Sequence, residues 1–415
     1  MAAGQGHDLD LLVQLRAPAL PADRQRPPLC LVPVVDVSGS MNGAKLESVR
    51  YALERLVEHL VPGDYLGLVA FDSEVRTVAP LTEVTAARKR DLLRAIGELR
   101  AGSCTNLAGG LLEGVSLVRA ARLAPGLRAR VILLTDGLAN EGVATTHHEL
   151  AALIREQATG VTVSAFGYGD DCDQALLGEL ADIAGGSYAY IANKDVVLTA
   201  FARELGSLVS TCAADVHLRL VPVAGAPIEE RLGDLLYEGE LSFAAALAAP
   251  THERATAVPV ATIEARWQDS RGRAQHASVP VLLDYVPAAD ADATDDADVC
   301  RARDERLLRT AQEQAEAAAR DGDFARARDI IGAILARLRD QTLIEFARDT
   351  LLPCYEEREY GATSGMRACA MASLKKRRRV ASSELVPALA DDRVSRVEAD
   401  MVASFTSGKK PRKGR

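Results

Sequence analysis

Three short stretches of this 415-residue chain carry side chains suited to holding a hard cation. The first is Asp36-Val37-Ser38-Gly39-Ser40, one carboxylate and two hydroxyls within five residues. The second, Gly102-Ser103-Cys104-Thr105-Asn106, adds the Thr105 hydroxyl, and the third, Thr135-Asp136-Gly137, adds a second carboxylate. Two carboxylates and three hydroxyls, with no thiolate or imidazole among the five donors, suit one Mg²⁺ or Mn²⁺ ion in octahedral geometry with waters completing the shell; zinc would ask for other ligands. Because hydroxyl donors are neutral, the ion keeps much of its charge, and an open coordination position attracts an exogenous carboxylate. The chemistry indicated is the capture of an acidic side chain.

Such a set works only if the fold brings the stretches together, since Asp and Ser alone also serve as ordinary helix caps. From Leu29 to about Ser210 the chain alternates short β-branched apolar runs with longer segments of helical period, the pattern of a parallel α/β sheet. Strands are expected at Leu29–Val35, Tyr65–Phe71, Val75–Val78, Arg130–Thr135, Val161–Tyr168 and Ser187–Ile191, the third close enough to the second to form a hairpin. Between them helical spacing predicts Ala44–Leu60, Ala86–Leu99, Leu107–Arg122, Thr146–Ala158, Gln174–Ala184 and Val196–Val209. The fold class read from this is a doubly wound, mainly parallel six-stranded sheet. In an open sheet of this kind the first and fourth strands are neighbours at the switch point, so all three stretches converge at its carboxyl edge.

The DVSGS loop, the Thr105 loop and the TDG segment, in that order on that pattern, resemble the metal-ion-dependent adhesion site of a von Willebrand factor type A domain. The resemblance covers about Leu29 to Ser210. It implies that Ser38, Ser40 and Thr105 touch the metal directly, while Asp36 and Asp136 act largely through bound water. Gly39, Met41, Asn106 and Gly137 would then belong to the rim that meets the partner. Where the family often has glycine before the loop threonine, this chain has Ser103-Cys104. After Ser40 it has Met41-Asn42-Gly43, without the acidic pair that builds a second cation site in integrin-type domains, so a single ion is expected.

Beyond the α/β unit the pattern changes. Between Asp215 and Val286 alternating runs predict a small antiparallel β-sandwich with Trp267 as a core anchor, and Leu9, Leu11, Val13 and Leu15 predict an N-terminal strand that pairs with it. Residues 287–298, rich in Ala and Asp, read as a linker, and Asp304–Leu338, broken at Asp321-Gly322-Asp323, as an αα-hairpin. The domain division expected is an N-terminal strand (1–28), the α/β domain (29–210), the sandwich (211–287), a linker (288–299), a helical hairpin (300–352) and a basic, flexible tail (353–415).

Charge separates the tail from the rest. The whole chain has a net charge of -9, which speaks against a general nucleic-acid binder, but residues 353–415 hold 14 Lys and Arg against 8 Asp and Glu. Lys375, Lys376, Arg377, Arg378 and Arg379 form its basic cluster, a solvated face, a nucleic-acid or acidic-partner contact or, in a eukaryote, a nuclear-import signal. The seven cysteines are scattered with no C-x-x-C spacing, and no apolar run approaches the roughly 18 residues that span a bilayer. A reducing cytoplasmic compartment without membrane contact is the expectation.

The leading functional reading is a non-enzymatic module that binds an Asp or Glu of a partner protein through Mg²⁺ or Mn²⁺ and acts as adaptor or scaffold. Its rival is a metal-dependent hydrolase or phosphatase using the same cation as a Lewis acid. The rival needs a general base or covalent nucleophile. Ser38 lacks the G-x-S-x-G elbow, and no histidine stands in the three loops.

Overall fold

The computed structural model describes residues 7–21, 26–121, 123, 127–137, 139–169, 172–250, 255–286, 296–360 and 367. The chain divides into two compact units, one built on residues 20–211 and the other on residues 7–19 and 212–367. The first strand, β1 (His7–Arg16), belongs to the latter.

The α/β unit is a six-stranded sheet flanked by six helices. Its strands are β2 (Cys30–Asp36), β3 (Tyr65–Phe71), β4 (Val75–Glu83), β5 (Ala129–Thr135), β6 (Thr162–Tyr168) and β7 (Tyr188–Ile191), in the spatial order β4-β3-β2-β5-β6-β7. All pairs are parallel except the β3–β4 hairpin. Its helices are α1 (Ala44–His59), α2 (Ala86–Gly97), α3 (Leu107–Ala120), α4 (His147–Gln157), α5 (Gln174–Ile183) and α6 (Lys194–Ser210). Alternate strand residues sort the helices into two layers. Leu31, Val35, Ile132 and Leu134 pack with α1, α2 and α6 on one face, and Val32, Val34, Val131 and Leu133 with α3, α4 and α5 on the other. Both faces are thus covered, which is why residues 30–35 of β2 and 131–134 of β5 read as apolar runs without alternation.

The close seating of α3 depends on residues that have no side chain. A Cβ at Gly110 would lie 2.5 Å from the Phe71 ring, and one at Gly114 would lie 2.5 Å from Val34 Cγ2. Gly114→Ala is expected to cost about 1–3 kcal/mol through overpacking, read as a lower midpoint in urea unfolding. The same shift would move the N-terminus of α3, where Thr105 and Asn106 stand.

The α1/α2/α6 layer also holds a buried ion pair. Arg130, on the same strand face as Ile132, places Nη1 2.5 Å from Glu204 Oε1 of α6, both side chains nearly sealed from solvent. Ser164 donates to Glu204 Oε1 at 2.8 Å and Ser187 to Oε2 at 2.5 Å, which ties β5, β6, the start of β7 and α6 together.

The other unit has β8 (Thr211–Pro222), β9 (Ile228–Leu236), β10 (Glu240–Ala249), β11 (Ala255–Asp269) and β12 (Ala274–Tyr285). A four-stranded antiparallel sheet runs β12-β11-β8-β9, and β1 pairs with β10 in a two-stranded one, His7 opposite Ala249 and Arg16 opposite Glu240. Val13, Leu241, Phe243 and Leu247 from the small sheet share one core with Val216, Leu218, Leu220 and Leu232 from the large one, and Trp267 packs partly buried at its margin. Helices α7 (Ala297–Arg320) and α8 (Phe324–Leu335) follow, antiparallel neighbours across the break at Asp321–Asp323. The helix α7 starts seven residues before the spacing predicted, because Asp296 caps it by accepting from the backbone N–H groups of Asp298 and Val299. Arg303 and Arg306 of α7 pair with Asp10 of β1.

The chain stays helical past Leu338 through α9 (Gln341–Glu345) and tighter and wider turns at Phe346–Tyr355. Glu316 then accepts from Tyr355, Tyr360 and Arg367. The basic cluster Lys375–Arg379 and residues 287–295 of the expected linker lie outside the described residues. No helix among the described residues is long and apolar enough to cross a membrane.

Candidate metal centre

The five donors sit where β2, α3 and β5 meet the carboxyl edge of the sheet. Asp36 is the last residue of β2, and Asp136 follows the last residue of its neighbour β5; with Val35 opposite Leu134, the pairing brings both carboxylates to the same edge of the sheet. Thr105 comes just before Asn106, which caps α3 by accepting from Gly109 N–H at 2.9 Å.

Backbone and side-chain hydrogen bonds close the three loops into a ring. Gly102 N–H donates to Val37 O at 2.6 Å and Gly39 N–H to Ser103 O at 2.9 Å, joining the first loop to the second. Asn140 grips the second loop from both sides: its Oδ1 accepts from Thr105 N–H at 2.8 Å while its own N–H donates to Thr105 O at 3.2 Å. Thr135 completes the circuit by donating its hydroxyl to Asp36 Oδ2 at 2.5 Å. Gly142, at φ +105°, lets the third loop pass over Asn106, whose Oδ1 would meet a Cβ there at 2.1 Å.

Within this ring the floor is dry and the rim is wet. Asp36, Ser38, Thr105 and Asp136 are buried, whereas Gly39, Ser40, Ser103, Cys104, Asn140 and Glu141 are exposed. Ser38 and Ser40 hold their hydroxyl oxygens 3.1 Å apart. Asp36 Oδ1 accepts from Ser38 N–H at 2.8 Å. Asp136 Oδ2 accepts from Lys45 Nζ of α1 at 2.9 Å, but its Oδ1 is buried with no hydrogen-bond partner among the described residues. A bare carboxylate oxygen away from water is costly unless a cation or proton meets it.

Burial pushes the Asp36 carboxyl up to about 6; the bonds from Ser38 and Thr135 hold it back and the neighbouring Asp136 charge adds to the rise. Two buried carboxylates that crowd each other, one with an orphaned oxygen, beside a pair of hydroxyls: this donor set fits a divalent hard cation.

The rim differs in part from the one expected. Met41 ends the short 3₁₀ turn Gly39–Met41 pointing inward and is wholly buried in the α1 layer, because an apolar chain there completes the core beneath the loop. Gly137 is also buried, under α5, with Asp173 N 3.0 Å from where its Cβ would be. Asn106 is half-buried and spends Oδ1 on its cap. The motifs alone do not assign a part in the site to Lys45, to the Thr135 hydroxyl or to Asn140. Lys45 had one available signal, its place at the start of the helix that follows DVSGS; Asn140 had none, since its partner lies 35 residues away.

Residues 31–203 match the von Willebrand factor type A domain family. This stretch is a von Willebrand factor type A domain. Protein sll0103 of Synechocystis sp. is 32% identical over 256 residues, covering 55% of this chain and 59% of that protein, so the match leaves two fifths of the relative unaccounted for. Two solved structures share the fold over most of both chains. The von Willebrand factor type A protein from Catenulispora acidiphila superposes with a TM-score of 0.64 at 19% identity, covering 84% of this chain and 86% of that one. The ArnB paralog VWA2 from Sulfolobus acidocaldarius gives 0.57 at 15%, covering 90% and 94%. The likeness of fold thus extends past the von Willebrand factor type A domain into the antiparallel sheets and the helices.

Proposed function

We propose that this chain is a metal-dependent protein-interaction module, an adaptor that holds one Mg²⁺ or Mn²⁺ ion and captures an Asp or Glu side chain of a partner protein. The observation that carries the reading is the bare, buried Oδ1 of Asp136, at the sheet edge where β2, β5 and the N-terminus of α3 bring a donor set of the right chemistry, within a stretch that matches the von Willebrand factor type A family. Ser38, Ser40 and Thr105 offer hydroxyl oxygens directly, while Asp36 and Asp136 orient bound water. When bound, the cation supplies a concentrated positive charge with an open position for a carboxylate oxygen. Thr135 and the Ser38 N–H fix the Asp36 carboxylate, and Asn140 fixes the Thr105 backbone, so the donors are held in place before anything binds. The exposed rim of Gly39, Ser40, Ser103, Cys104, Asn140 and Glu141 is where the partner would make its remaining contacts.

Affinity capture with the full chain tests the reading. Partner proteins retained in Mg²⁺ are expected to elute with EDTA and to be absent from an Asp36→Ala column. A partner retained through both treatments would overturn it.

A further inference from the structure

Five oxygen donors leave one charged contact in the site without a role. Lys45 is the second residue of α1, in a turn where the helix dipole favours an anion over a cation. Helix preference therefore does not explain it. Its ammonium instead reaches across to Asp136 Oδ2 at 2.9 Å, with 28% of the side chain exposed. The end of the chain lies against Gly169, where a Cβ would come within 3.0 Å of Lys45 Cε and 3.3 Å of Nζ, so the glycine after β6 leaves room for it. Asp136 consequently has one oxygen neutralised and the other bare.

Resting on the metal reading above, we propose that Lys45 is a positioning residue that sets the charge of the site: it pins one oxygen of Asp136, turns the other toward the cation position, and leaves the loaded site net positive. Asp36, Asp136 and Lys45 together carry one negative charge, which a divalent cation converts to one positive. Without the ammonium the loaded site would be neutral. Lys45 therefore weakens the hold on the cation and strengthens the hold on an incoming carboxylate, and its loss moves the two affinities in opposite directions. A lysine that merely propped Asp136 in place would instead lose cation affinity on removal.

The test is a Mn²⁺ titration of the full chain, with free Mn²⁺ read by electron paramagnetic resonance, on wild type, Lys45→Met, Lys45→Gln and Lys45→Arg. Removing one positive charge at near-contact range in a half-solvated site is worth about tenfold. Lys45→Met and Lys45→Gln are expected to bind Mn²⁺ about tenfold more tightly than wild type, and Lys45→Arg within about threefold of it. Acetate, followed by water-proton relaxation of the Mn²⁺-loaded proteins, is expected to bind about tenfold more weakly to the two neutral variants. Mn²⁺ binding by wild type with equal or weaker binding by both neutral variants would overturn the role of Lys45 alone. Failure of wild type to bind Mn²⁺ would overturn the underlying metal reading, and this inference with it.

Discussion

Asp136→Asn is expected to lower Mn²⁺ affinity by about 10- to 100-fold, while the melting temperature of the metal-free protein stays close to wild type. The size follows from what is removed. Oδ1 is sealed from solvent without a hydrogen-bond partner among the described residues, so its full negative charge is available to the cation. An amide keeps the shape and loses that charge, and groups that orient a metal's bound waters typically contribute 10- to 100-fold each. Asp36→Ala acts in the same direction and further strips the Thr135 hydroxyl and the Ser38 N–H of their acceptor. Titration calorimetry with Mn²⁺ reads the loss, and circular dichroism melting shows that the fold survives. Binding at wild-type affinity in Asp136→Asn would mean that the ion sits elsewhere.

The second large effect concerns stability and leaves the cation alone. Arg130→Met is expected to destabilise the protein by about 3–5 kcal/mol, because it removes the guanidinium that pairs with the buried Glu204 carboxylate. Ser164 and Ser187 still donate to that carboxylate, but neutral donors do not replace a guanidinium. Adding Glu204→Leu to Arg130→Met is expected to recover most of the loss, since an apolar pair in a dry layer is often as stable as the ion pair it replaces. Urea unfolding of the two single variants and the double variant measures the coupling. The pair lies toward the amino end of β5 and Asp136 just past its carboxyl end, so Mn²⁺ affinity of the folded protein is expected to be unchanged in all three.

These two sites mark how far the sequence was legible. The strands β2 and β5 could be read because helices cover both sheet faces, and their adjacency followed from the switch-point rule for open α/β sheets. The helix α1 was visible from the spacing of Leu46, Val49, Leu53 and Leu56, all of which are buried. What local pattern could not convey was contact at a distance. Arg130 reads as a polar interruption of an apolar strand until Glu204, 74 positions later, is placed against it. Likewise β9 carries Glu229, Glu230, Arg231 and Asp234, a charged run whose place in the sheet depends on cross-strand partners such as Arg219 and Asp215 on β8. Met41 follows two exposed residues of a polar loop and gave no sign that the 3₁₀ turn would carry it inward. Residues near 297 looked like linker because Ala and Asp lack an apolar period, yet one Asp cap and good helix-forming alanines suffice to start α7 there.

The placement of the five candidate donors was legible for a different reason: each stands in a short motif at the end of an element whose position the sheet dictates. Their supports were not, because Lys45 and Asn140 act across 91 and 35 residues of chain. A candidate donor set can thus be picked out from short motifs while the residues that hydrogen-bond and ion-pair with it stay hidden until the loops are folded together.

Crystals of the full chain grown with Mn²⁺ and measured at the manganese absorption edge test the central claim most directly. The account predicts one anomalous peak at the carboxyl edge of the sheet, about 2.1 Å from the hydroxyl oxygens of Ser38, Ser40 and Thr105, with Asp36 and Asp136 reached through water. A Mn²⁺ peak elsewhere on the chain, or saturating Mn²⁺ with no density inside that ring of loops, would contradict it.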